Sequence, residues 1–165
     1  MPGDRYILVG PPRVGKSTYA RALRALGIAT LCADPAPLVK QSEDGVEYLP
    51  AIFAEPGMWS EASDFIAREW LTREGPFCLE GVAMARALRK WLRTAPAGLM
   101  PAEHVVVFTE PMARQSPGQA AMSKAVATVW SQVHGRLRNV AERPCDLLMG
   151  RPACACLRGG DHRLR

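Results

Sequence analysis

The sequence predicts an α/β fold: a doubly wound parallel sheet of about five strands with helices on both faces. Three observations lead there. Short apolar runs rich in β-formers recur at 5–9, 29–33, 77–82 and 104–109. Segments with apolar residues at helical spacing stand between them, and strands that alternate with helices select a parallel sheet. The first run enters Gly10-Pro11-Pro12-Arg13-Val14-Gly15-Lys16-Ser17-Thr18, a G-x-x-x-x-G-K-[ST] stretch set between a strand and a helix.

Taken in order, Tyr6-Ile7-Leu8-Val9 reads as the first strand. A helix follows, with Ala22, Leu23 and Leu26 on one face and Gly27 as its stop. The second strand ends at Asp34, where Pro35 and Pro37 terminate it. Residues 38–58 are polar and punctuated by Gly and Pro, which predicts a long irregular connection of the kind that carries function. From Ser60, a candidate cap, the pattern is helical, with Phe65, Ile66, Trp70 and Leu71 in one stripe. Gly75-Pro76 breaks it, and the third strand ends in Glu80-Gly81-Val82.

The next helix spans about 83–94. It turns Met84, Ala87, Leu88, Trp91 and Leu92 inward and Arg86, Arg89, Lys90 and Arg93 outward. Residues 104–109 form the clearest strand, continuous and β-branched, as expected when both faces are buried. A last helix is expected over 118–142, and 145–149 is a candidate fifth strand or the start of an ordered tail. The organisation expected is one domain over 1–150 and a loose basic tail over 151–165. Trp70, Trp91 and Trp130 lie on helical stripes and are assigned to the core.

In a doubly wound sheet, ligands bind beyond the carboxyl ends of the strands. Asp34, Glu80 and Glu110 then gather at the edge that carries residues 10–18. The N–H groups of such a glycine loop and of the helix after it cradle phosphate. Lys16 is placed to reach the β- and γ-phosphates of a nucleoside triphosphate, and the Ser17 hydroxyl to ligate Mg²⁺.

Composition narrows the classes. The 165 residues suit one core-forming domain, and 48% are hydrophobic, which excludes wholesale disorder. No apolar run is long enough for a membrane span. The first strand starts within a few residues of Met1, which leaves no room for a signal peptide. Five cysteines is an odd number, and Cys32 and Cys78 fall in core strands, so a cytoplasmic, reducing compartment is expected. Residues 1–80 hold 8 Lys/Arg against 11 Asp/Glu, and residues 81–165 hold 13 against 5. The basic second half either neutralises nucleotide phosphates and forms a solvated face or attracts a polyanion such as DNA.

A Ras-type switch would require D-x-x-G and N-K-x-D elements, and neither occurs. Motor-type ATPases end a strand in Asp-Glu, which is also missing, and the chain is too short for their usual lid domain. With these set aside, residues 10–18 and the order of elements resemble the small P-loop kinases, which include nucleoside, shikimate, gluconate and polynucleotide kinases. The resemblance implies ATP and Mg²⁺ as cofactors, a hydroxyl as acceptor, and a phosphate-binding set of Gly10, Pro11, Pro12, Arg13, Val14, Gly15, Lys16, Ser17 and Thr18. It also implies that Asp34 sits beside the acceptor hydroxyl and that Glu80 takes part in metal or acceptor binding.

The stretch Gly118-Gln-Ala-Ala-Met-Ser-Lys-Ala-Val-Ala-Thr-Val-Trp130 is similar to a segment of phage-encoded kinases that phosphorylate 5-hydroxymethyluracil in DNA. A host cytoplasm and DNA as partner follow from that likeness. A kinase of a free nucleoside or small metabolite, or a module that binds or hydrolyses ATP without an acceptor, is the alternative.

Each candidate residue has a plainer role beside the functional one. Asp34 is the base for the acceptor hydroxyl or a cap on the next turn. Glu80 holds Mg²⁺ through water, assists the acceptor, or satisfies a helix N-terminus. Arg13 reaches the nucleotide or is only solvated. Arg114 and Lys124 fall where this fold places its lid, and Arg114 is the candidate for charge stabilisation during transfer, with Arg136 and Arg138 as alternatives. Arg86, Arg89, Lys90 and Arg93 are a phosphate track for DNA or a solvated helix face. Tyr48 and Trp59 stack on a base or anchor their loop. Cys145, Cys154, Cys156 and His162 fit no common zinc spacing.

Overall fold

The structure, a computed structural model, describes residues 3–38 and 43–142. Six strands form one sheet: β1 (Arg5–Val9), β2 (Ala29–Pro35), β3 (Val46–Leu49), β4 (Phe77–Glu80), β5 (His104–Val107) and β6 (Val140–Glu142). Their order is β3-β2-β4-β1-β5-β6, and every neighbouring pair is parallel. The helices are α1 (Lys16–Ala25), α2 (Trp59–Phe65), α3 (Met84–Thr94) and α4 (Pro117–Ser131).

The sheet is buried on both faces, and side-chain alternation divides it. Tyr6 and Leu8 of β1 join Cys78, Val106 and Phe108 against Tyr19, Ala20 and Leu23 of α1. Ile7 and Val9 join Leu31, Leu79 and Val105 on the opposite face, against Ile66, Trp70, Met84, Leu88 and Trp91. Each fully buried Leu or Ile contributes roughly 1.5–3 kcal/mol. Helices therefore cover both faces, as the sequence predicts. Trp70 and Trp91 are buried and Trp130 packs against the same cluster. Cys32 and Cys78 are buried free thiols.

Three expectations about elements are corrected. Residues 46–49, inside the expected irregular connection, form β3, pairing Thr30 with Val46 and Cys32 with Tyr48. The last helix stops at Ser131, not at 142, and residues 140–142 pair with β5 as β6. A separate 3-10 turn at His134–Arg136 follows, and Asn139 takes φ 57°, a left-handed conformation that turns the chain into β6. Ser60 does not cap α2, which begins at Trp59 with no side-chain cap; the Ser60 carbonyl and hydroxyl instead accept from Lys90 Nζ. Six strands among the described residues agree with the parallel sheet of about five that the sequence predicts. The candidate strand at 145–149, the tail over 151–165 and the residues Cys145, Cys154, Cys156 and His162 lie outside the described residues.

α4 starts where local chemistry dictates. Ser116 caps it by accepting from the Gln119 N–H while the Gln119 side chain accepts from the Ser116 N–H, and Pro117 occupies the first turn. Among the described residues, no helix is long and apolar enough to cross a membrane.

Candidate active site

β1 delivers the chain to a loop over residues 10–15 at the carboxyl edge of the sheet. Gly15, the residue before α1, sits at φ 90°, ψ 12°, a left-handed conformation that glycine takes without strain. Arg13 also has positive φ, 63°, with its side chain exposed.

Lys16 is the first residue of α1 and is buried. Its Nζ donates to the carbonyls of Gly10 at 2.9 Å and Pro11 at 2.6 Å, so the ammonium is folded back over its own loop. Burial lowers its pKa, and the charges of Glu80 and Asp34 oppose that. Two loop carbonyls receive its hydrogen bonds, with the two carboxylates as nearby opposing charges.

Glu80 ends β4, and it is 5% exposed, which an unpaired carboxylate would not tolerate. The Ser17 hydroxyl donates to its Oε1 at 3.2 Å. The Cys32 thiol, one strand away and in register with Glu80, donates to it as well. Burial and the Asp34 charge raise the Glu80 pKa, against the opposing pull of Lys16 and the two donors. Asp34, the penultimate residue of β2, is half-buried. Burial raises its pKa above the ordinary 3.8, while Lys16 and a hydrogen bond from the Val82 N–H lower it. Burial followed by the Glu80 and Asp34 charges pushes the Cys32 thiol well up, so it stays protonated and acts as a donor.

Gly81 makes this arrangement possible. It sits at φ 140°, and a Cβ there would stand 2.6 Å from the Ala33 Cβ, so β4 turns past β2 only without a side chain. The turn carries the Val82 N–H to Asp34.

Three of the four residues singled out for catalysis, Lys16, Asp34 and Glu80, therefore meet at one place with Ser17. Arg114 does not join them; it is exposed in the loop after β5. That loop is tied to the phosphate loop by Met112 N–H to the Arg13 carbonyl, 2.8 Å, and Gln115 Nε2 to the Pro12 carbonyl, 2.8 Å. Lys124 and Arg138 are exposed, and Arg136 donates to the Leu92 carbonyl, 2.7 Å. Glu110 is exposed just past β5, and its charge is not among those that act on Lys16 or Glu80.

Two of the four outward residues of α3 are engaged. Lys90 pairs with Asp64 at 2.8 Å, and Arg89 donates to Gln132 at 2.9 Å. Arg93 is exposed, and Arg86 is half-buried. The Tyr48 hydroxyl accepts from the Glu43 N–H, 2.8 Å, which anchors its loop, and Trp59 stands exposed at the head of α2.

Sequence reasoning missed two groups. Cys32 has its signal in the period-2 spacing of Thr30, Cys32 and Asp34, which puts all three on one face of β2. The second is Glu43, which bridges Arg21 at 2.5 Å and also Arg24, and so fastens the approach to β3 onto α1. Nothing local marks that pairing.

A phosphate loop at the carboxyl edge of a parallel sheet, with Glu80 ending the neighbouring strand β4 and Asp34 near the end of β2 one strand further, is the arrangement of a P-loop kinase fold. No family model matches the chain, and no curated protein sequence is significantly similar to it. Among solved structures, a shikimate kinase from Acinetobacter baumannii in complex with shikimate matches with a TM-score of 0.50 and 16% identity, over 86% of this chain and 84% of that chain. At that identity the likeness shows the fold.

Proposed function

We propose that the protein is an ATP-dependent kinase that passes the γ-phosphoryl group to a hydroxyl held beside Asp34. The observation that carries this reading is the convergence of Lys16, Ser17, Asp34 and Glu80 on one side of the phosphate loop.

Lys16 already bonds two loop carbonyls, and a triphosphate replaces them with stronger, charged acceptors. The Ser17 hydroxyl and the Glu80 carboxylate are neighbouring hard oxygen donors, a set that suits Mg²⁺, which keeps most of its other positions for phosphate and water. Bound there, Mg²⁺ supplies charge neutralisation to the phosphates. Asp34 takes the acceptor proton. Its raised pKa makes it a better base than a solvated aspartate, and the Val82 N–H fixes its aim. The acceptor oxygen bonds to the γ-phosphorus as the bond to the β-phosphate oxygen breaks, and ADP leaves. Positioning and charge account for most of the catalysis.

For the acceptor we propose a nucleotide-type hydroxyl, in its most specific form 5-hydroxymethyluracil in DNA. The 118–130 stretch and the basic second half support it, and a phage origin would follow. A small-metabolite kinase is the second reading, favoured by the likeness to a structure that holds shikimate.

The test is incubation with γ-labelled ATP and Mg²⁺ alongside DNA containing 5-hydroxymethyluracil, matched unmodified DNA, free nucleosides, or shikimate. Label on the modified DNA alone is expected. Label on nucleosides or shikimate overturns the DNA acceptor but keeps the kinase. Phosphate release with no labelled acceptor overturns the kinase reading.

A further inference from the structure

α3 and α4 do not close on each other along their whole length. Between them lies a cavity of about 360 Å³, whose walls include Trp59, Val82, Ala85, Arg86, Met122 and Val129. That size lies within the range of small-molecule sites, roughly 300–1,000 Å³. Its walls are mostly aliphatic or aromatic. Of the fifteen residues of α4, Val126 is the one that is buried, so the helix leaves an apolar side facing this gap.

Two features say what fills it. Arg86 is half-buried in the wall, and among the described residues it has neither a hydrogen bond nor an ion pair. A guanidinium beside apolar walls and without a carboxylate is a receptor for an anion, and phosphate suits its fork of donors. The second feature is Val82. It lines the cavity, and its N–H is the donor to Asp34, so a single residue stands between the cavity and the base.

We propose that this cavity is the acceptor site and that its occupant is a nucleotide, with the ring against Trp59 and the apolar side of α4 and the phosphate on Arg86. This rests on the kinase reading and specifies its acceptor. The ring substituent that bears the hydroxyl lies toward Asp34. A polyhydroxylated alicycle fits poorly, because an apolar wall leaves its hydroxyls unbonded. A free nucleotide and a nucleotide within DNA share this chemistry.

The test measures binding without turnover, by calorimetry on the full chain. The probes are 5-hydroxymethyl-2′-deoxyuridine monophosphate, the corresponding nucleoside, and shikimate. The monophosphate is expected to bind at least about tenfold tighter than the nucleoside, with shikimate weakest. Arg86→Gln should remove that advantage and leave the nucleoside within about twofold. Ala125→Phe, which fills the cavity from an exposed helix position, should weaken both nucleotide and nucleoside about tenfold or more. ATP affinity, unchanged in both variants, reports that the fold is intact.

Equal binding of monophosphate and nucleoside, or binding that survives Ala125→Phe, overturns the proposal. A DNA oligomer with one 5-hydroxymethyluracil separates the two sources. Its preference over unmodified DNA should vanish with Ala125→Phe, and a preference that persists places the base elsewhere. Because ATP turnover is not read, failure here with label transfer intact refutes the cavity alone. Ligand binding without any transfer refutes the kinase reading alone.

Discussion

Replacing Gly81 with alanine puts a methyl group where β2 leaves no room. Its Cβ would stand 2.6 Å from the Ala33 Cβ and 3.2 Å from the Ala33 Cα and N. The backbone there has φ 140°, a region that L-residues enter at a cost of roughly 1–3 kcal/mol. Overpacking against a strand that cannot retreat adds about 1–3 kcal/mol. Together these give about 2–6 kcal/mol, a large share of the roughly 5–15 kcal/mol that holds a domain folded. Urea unfolding followed by circular dichroism reads it as a drop in midpoint at constant slope.

The two costs separate by adding Ala33→Gly. That change removes the opposing Cβ but leaves the dihedral strain, so the pair should show a favourable coupling of about 1–3 kcal/mol in a double-mutant cycle. A Gly81→Ala chain within about 0.5 kcal/mol of the parent, or a cycle with no coupling, refutes the close-approach reasoning.

Other perturbations have defined outcomes. Asp34→Asn should lower phosphoryl transfer about 10²–10⁴-fold while ATP affinity, read by calorimetry, holds. Because the Asp34 pKa is raised above 3.8, the acid limb of the parent's rate profile should lie above that of a free carboxyl, and the variant should lose that limb. Lys16→Ala should abolish both ATP binding and transfer. Glu43 has its pKa lowered to about 2 by Arg21 and Arg24, so its contribution is full above the ordinary 4.5 and is lost as pH falls toward 2. Partial exposure limits that contribution to about 1 kcal/mol, and Glu43→Gln should flatten the corresponding acid limb of stability in urea melts. Leu88→Ala, at a side chain with 0% exposure, should cost about 2–5 kcal/mol in the same assay.

What the sequence discloses follows from how local each signal is. The loop over residues 10–18 carries its chemistry in adjacent residues, and four strands with long apolar runs are central in the sheet. The edge strands are different. Val46-Glu47-Tyr48-Leu49 and Val140-Ala141-Glu142 take strand form by pairing with β2 and β5, and so few residues carry too little pattern to stand out. Asp34 and Glu80 are legible as strand-ending acids because topology brings such ends together. The Cys32 donor and the Val82 N–H are not, since each depends on register between β2 and the end of β4. The basic row of α3 is legible as charge alone; only tertiary neighbours distinguish Lys90, which is paired, from Arg86, which is not.

The ties between the phosphate loop and the segment after β5 join residues 10–15 to the helix that walls the cavity. Gln115 donates to the Pro12 carbonyl and accepts from the Ser123 hydroxyl of α4 at 3.0 Å, so it bridges the nucleotide loop and the helix that walls the cavity. A displacement of the Pro12 carbonyl would strain a hydrogen-bond chain that ends on α4. If ligands at the two places are coupled through it, reciprocity requires the same factor in both directions. Cutting the bridge with Gln115→Ala should make the two affinities independent while leaving each measurable.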